Sequence, residues 1–85
     1  MNEQLSNFQV TDRKSFIEFL DLLRQNFIGN PEGWENNNLD TFLEALSRYA
    51  NDIQGHYDNM GKPIIADNPS WQVFADIFKG ATIYE

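Results

Sequence analysis

The sequence predicts a mainly α fold, a small three-helix domain with helices over about 12–28, 39–54 and 69–81. Two observations carry that expectation. Apolar residues recur at helical spacing in three separate stretches, and each stretch opens on a capping residue and closes near a glycine. The alternative is an α/β layer with short terminal strands.

Residues 1–7 are polar and read as a loose terminus, and Phe8-Gln9-Val10 reads as a brief extended piece. Thr11 or Asp12 then caps the first helix. Phe16, Phe19, Leu20, Leu23 and Phe27 stand at offsets 0, 3, 4, 7 and 11, one face of a helix, which Ile17 and Leu22 widen. Arg24 lies three residues after Asp21, so a surface ion pair is expected. Gly29 is the expected stop, and Asn30-Pro31-Glu32-Gly33 is a turn by composition. Gly29 and Gly33 make no phosphate loop, since no Lys-Ser or Lys-Thr follows.

The central helix has the clearest pattern. Asn38 is its natural N-cap, and Asp40 sits in the first turn, where the helix dipole favours an acid. Leu39, Phe42, Leu43, Leu46, Tyr49, Ala50 and Ile53 fall at offsets 0, 3, 4, 7, 10, 11 and 14. Gln54 is its expected last residue, with Gly55-His56 marking the end. Tyr57 to Asp67 reads as a linker in which Gly61 and Pro63 forbid helix, while Ile64-Ile65 crosses the core surface. A connection of this length is a second place to look for a binding surface. Asn68 and Pro69 read as cap and first position of the last helix. Its stripe is Trp71, Phe74, Ala75 and Phe78, and Gly80 or Ala81 ends it. Ala81-Thr82-Ile83-Tyr84 reads as helix or as a short strand whose only evident partner is Phe8-Gln9-Val10.

Eighty-five residues without an internal repeat make one domain, 1–85. A chain of this size buries only about 60–65% of its unfolded surface, so large rings matter to its core. It has seven Phe, three Tyr and two Trp. Thirteen acids against six bases give a net charge of −7, which disfavours nucleic acid and anionic membrane and favours a basic partner. No cysteine is present, so thiol catalysis, disulfides and Cys-based zinc sites are excluded. The first residues have neither the basic region nor the apolar run of a signal peptide, and no stretch reaches the roughly 20 apolar residues of a membrane span. The expected compartment is the cytoplasm.

Chemistry is sparse. His56 is the only histidine, and Asp52 and Asp58 near it lack the spacing of a metal site, so it reads as an exposed helix-end residue. Asp40 and Glu44 share a helix face and could in principle do acid–base work, but both read as solvated, so no enzyme and no cofactor are expected. They are either an ordinary solvated face, eased by Glu44 pairing with Arg48, or an acidic ridge that docks a basic protein. Trp34, just before the cap, is either a lid over the first turn or a flank of that ridge. Trp34, Glu35, Asp40 and Glu44 are the candidate partner-binding residues.

Two resemblances add to this reading. Trp34-Glu35-Asn36, Phe42-Leu43-Glu44-Ala45-Leu46, Pro69-Ser70-Trp71 and Tyr84-Glu85 are similar to a family of small, uncharacterised, acidic bacterial domains, a likeness over nearly the whole chain that implies no activity. Asn38-Leu39-Asp40, followed by Phe42-Leu43-Glu44-Ala45-Leu46, resembles the acidic helix of barstar, the inhibitor of a secreted ribonuclease, over residues 12–46 at most. That likeness implies an α/β fold and places Asp40 and Glu44 where the family's acids plug a basic nuclease site. The expected function is a non-enzymatic acidic protein-binding domain, most specifically an immunity or inhibitor-type protein masking a basic partner such as a nuclease toxin. The alternative is a structural or regulatory subunit that forms a homodimer through an exposed part of an aromatic stripe.

Overall fold

The computed structural model describes residues 3–85, and within them every regular element is helical. The order is α1 (Glu3–Ser6), α2 (Arg13–Gly29), a 3-10 turn (Pro31–Gly33), α3 (Leu39–Asn59) and α4 (Trp71–Ala81). The three long helices lie where the apolar spacing puts them. The barstar-like α/β alternative is overturned: no strand occurs among the described residues. Val10 gives its N–H to Gln72 Oε1 at 2.8 Å, so it pairs with a side chain of α4 instead of a strand. Residues 81–84 close a helix, with Thr82 N–H on Lys79 O and Ile83 N–H on Gly80 O, both at 3.3 Å.

Local chemistry sets the helix ends. Asp12 is the cap of α2, in a reciprocal box: its carboxylate accepts from Ser15 N–H at 2.8 Å, and Ser15 Oγ accepts from Asp12 N–H at 3.1 Å. The bond from Ser15 N–H, and then one that Ser15 Oγ donates to the carboxylate at 2.7 Å, hold the Asp12 carboxyl below the usual aspartate range. Asn38 caps α3 by accepting from Thr41 N–H at 2.9 Å. The expected end of α3 at Gln54 is wrong by five residues, because the helix runs through Gly55 to Asn59. A mid-helix glycine costs only about 1 kcal/mol. Continuing buries Tyr57 to 2% exposure, and ring burial outweighs that cost. The stop is Gly61 at φ +68°: its N–H reaches Asp58 O at 3.1 Å, and Lys62 N–H reaches Tyr57 O at 2.9 Å, a Schellman closure. α4 starts two residues later than expected. Asn68 N–H bonds Ile65 O at 3.0 Å, which keeps Asn68 in the preceding turn, and Ser70 takes over as cap, accepting from Val73 N–H at 3.1 Å.

The last helix is the centre of the molecule. α2 and α3 both pack on α4 and hardly on each other. α2 starts where α4 starts, with the Phe16 and Trp71 ring centroids 5.4 Å apart, and α3 runs the opposite way. Ala75 joins Phe19, Leu23, Leu5 and Val10 in one buried cluster, and Val73 joins Tyr49, Ile53 and Tyr57 in another. The loose terminus expected over 1–7 falls in part on Met1 and Asn2, outside the described residues. Further along, Glu3–Ser6 is a helical turn and Leu5 is 1% exposed in the α2 cluster. Gly80 marks a close approach of α3 to α4, since a Cβ there would stand 2.1 Å from the Tyr49 ring.

Candidate functional site

Because α2 and α3 diverge over α4, an open groove remains between them. Its upper hollow, about 580 Å³, is floored by Phe74, Ile77 and Phe78 and walled by Phe16, Leu43 and Leu46. A lower hollow of about 350 Å³ meets it at Phe78 and runs past Leu20, Arg24, Phe27, Trp34 and Leu39. The walls are the outer margins of the α2 and α3 apolar stripes, beyond the reach of α4. Leu39 is 72% exposed, Leu43 52% and Phe74 39%. From Leu39 to Ala50 the α3 wall spans three turns, about 16 Å at 1.5 Å per residue.

Trp34 closes the lower end. Its Nε1–H donates to Asn26 Oδ1 at 2.8 Å, and its ring lies edge-on to Phe27 and tilted on Phe42, at 5.0 and 5.7 Å. The ring is half-buried, a lid over the first turn of α3 that also lines the groove. Asn36 ties this loop to α4. Its side-chain amide donates to Ala81 O at 2.9 Å and Tyr84 O at 2.7 Å, and its backbone N–H donates to Thr82 O at 3.0 Å. Those are carbonyls at the open end of α4, so one residue caps a helix and fixes the groove's end wall.

Glu35, Asp40 and Glu44 are exposed. Helix geometry sets Asp40 and Glu44 on the outer rim of the α3 wall, one step around from Leu43 and away from α4. Glu44 pairs with Arg48 at 3.1 Å as expected, and Arg48 also donates to Glu85 O at 2.7 Å. The expected Asp21–Arg24 pair does not form; Gln25 takes the Asp21 carboxylate at 2.7 Å.

The other face of α4 carries hydrogen bonds. Asp76 accepts from Tyr57 Oη at 2.6 Å and from Gln72 Nε2 at 2.9 Å, with Lys79 Nζ at 3.6 Å. Burial, then the bond to Asp76, pushes the Tyr57 hydroxyl well above the tyrosine range. Burial raises Tyr49 as well, with the Asp76 charge adding to it. Tyr84 donates to Asp52, which raises the phenol and lowers the carboxyl. Gln54 pins the linker, donating to Ile64 O at 2.9 Å and accepting from Ala66 N–H at 2.7 Å. Ile64 is half-buried, while Ile65 is 62% exposed. His56 lies exposed in the last turn of α3 beside the Tyr49 ring. No group of three or more His, Asp or Glu side chains able to hold a metal occurs among the described residues, and no helix there is long and apolar enough to cross a membrane.

The groove was not foreseen from the sequence, where Leu39, Leu43 and Phe74 read only as members of apolar stripes. Stripe width gave no signal: at 100° per residue the α3 stripe from Leu39 to Ile53 spans about 120°, ordinary for a helix that faces a core.

Fold and surface together define a small, acidic, mainly α-helical domain with an apolar groove on one face of α4 and a tyrosine–carboxylate network on the other. The chain belongs to the family of unknown function DUF7660, whose model matches residues 12–85, in agreement with the expected likeness to a small uncharacterised family. No curated protein and no solved structure matches it.

Proposed function

We propose that this chain is a non-enzymatic, acidic protein-binding domain, and that the groove over α4 receives an amphipathic helix of a partner with basic residues. The observation that carries the reading is the open groove itself: Leu43 and Phe74 stay 52% and 39% exposed on a continuous apolar floor and wall. Apolar grooves between helices recur as seats for amphipathic helices, read through anchors one turn apart. The net charge of −7 would speed encounter with a basic protein, and the rim acids Asp40 and Glu44 would meet its cations. Trp34 and Glu35, at the lower end, extend the same surface. The most specific form of the reading is an immunity or inhibitor-type protein, acting in the cytoplasm, that masks a basic partner such as a nuclease toxin.

The test is a titration of the isotopically labelled chain with a cationic amphipathic helical peptide, followed by NMR. Shifts confined to Leu39–Ala50, Phe74 and Phe78, and lost in Leu43→Glu, support the reading. Shifts scattered over the surface, unchanged in Leu43→Glu, sink it. The inhibitor form is tested by adding the chain to basic nucleases: stoichiometric loss of cleavage supports it, and a saturated complex that still cleaves removes it.

A further inference from the structure

We infer that the helix seated in the groove carries opposite charges on its two flanks, and that these charges set the direction in which it lies. The inference rests on the docking reading above and concerns the two walls. The α3 wall is rimmed by Asp40 and Glu44. On the α2 side Arg24 lines the lower hollow, and helix geometry sets Arg13, at the start of α2, in the same row as Leu20 and Arg24 at spacings of seven and four.

Among the described residues neither Arg13 nor Arg24 has an ion pair, as is also true of Lys14 and Lys62, so no acid of the chain already holds their charge. Gln25 occupies the one carboxylate expected to take Arg24. Asp40 on the opposite wall is likewise without an ion pair among the described residues. The groove therefore has arginines along its α2 side and acids along its α3 side, Glu44 being shared with Arg48, with an apolar floor between them. A helix basic on both flanks satisfies only one wall, whereas one with cations toward α3 and anions toward α2 satisfies both.

Direction follows from handedness. Turning a helix end for end in the groove exchanges its flanks, so a given arrangement of charges fits one way only. α2 and α4 run parallel, and α3 runs opposite. In a right-handed helix with its a/d stripe on the groove floor, lysines at e and glutamates at g face α3 and α2 when the N-terminus lies at the Phe74 end. With the two exchanged, the N-terminus lies at the Phe27 end.

The experiment uses two synthetic helical peptides of identical apolar stripe, one with Lys at e and Glu at g, the other exchanged. Each carries a nitroxide at its N-terminus and is added to the labelled full chain at physiological salt. The expected result is line broadening around Phe74 and Ala50 with the first peptide and around Phe27 and Leu39 with the second. The preference should be about fivefold or more, what two exposed ion pairs supply. Arg13→Gln with Arg24→Gln, surface changes whose fold is checked by circular dichroism, should abolish it. Broadening at the same end with both peptides, or an unchanged preference in the double variant, overturns the inference while leaving the docking reading in place. No broadening by either peptide, or a dimer that seals the groove, removes the docking reading and this inference with it.

Discussion

The two sides of α4 are built differently. Toward α2 the buried cluster is wholly apolar: Leu5, Val10, Phe19, Leu23 and Ala75. Toward α3 it holds Tyr49 and Tyr57 beside Ile53 and Val73, and the bonds Tyr57–Asp76, Gln72–Asp76 and Tyr84–Asp52 lie around it. The α2 side is held by area removed from water, which is non-directional. The α3 side adds bonds that demand one geometry. Of the two groove walls, α3 is oriented by these bonds as well as by packing, and α2 is seated mainly by packing.

The largest expected effect tests the apolar side. Phe19→Ala removes a ring that is 0% exposed and should cost about 3–5 kcal/mol. For a domain of this size, at about 0.05–0.15 kcal/mol per residue, that is a quarter of the stability or more. The midpoint of urea denaturation should fall sharply; a loss below 1 kcal/mol would mean that the cluster is not the core described.

Gly80→Ala comes next. The added methyl would stand 2.1 Å from the Tyr49 ring, so helix or ring must shift, at about 1–3 kcal/mol. Tyr49→Ala in the same chain should recover part of that loss. If the two changes simply add in a double-mutant cycle, the close approach is not the cause.

Tyr57→Phe probes the hydrogen-bonded side and should cost about 1–2 kcal/mol by leaving Asp76 one donor short. The sign of its pH dependence is fixed. The folded Tyr57 hydroxyl titrates above its ordinary 10.0, so its contribution is complete below that value and is lost as the pH rises through the folded value. Wild type should therefore lose stability above about pH 10 more steeply than Tyr57→Phe. Parallel alkaline curves would dismiss the Tyr57–Asp76 bond as a stabilising contact.

The smallest change in stability is expected in the groove. Leu43→Gln exchanges a side chain already 52% exposed, so stability should move by no more than about 0.5 kcal/mol. Helical peptide binding should nevertheless fall at least severalfold. A large destabilisation would show that Leu43 belongs to the core.

Much of this architecture was legible from spacing and caps. The offsets of Phe16–Phe27, Leu39–Ile53 and Trp71–Phe78 mark three helices, and Asn38 is the cap the sequence implies. What misled was local grammar. Gly55 looks like a stop, and Asn68-Pro69 looks like a start. In the fold, Tyr57 burial carries α3 past the glycine, and the Ile65–Asn68 turn hands the cap to Ser70. Of the candidate site, Trp34, Glu35, Asp40 and Glu44 could be named beforehand, as could the Glu44–Arg48 pair. The groove and the arginines along its α2 side could not.

The sequence by itself determined the helical class, the net charge and which residues could be apolar anchors, because these depend on composition and on contacts within a few residues. Only the tertiary structure decided which anchors are covered. Leu23 and Leu43 read alike in their stripes, yet one is 6% exposed and the other 52%. The difference lies in where α4 sits: it fills the inner margins of α2 and α3 and is too narrow to reach the outer ones. A helix's periodicity records which face is apolar, whereas the burial of that face depends on a neighbour many residues away.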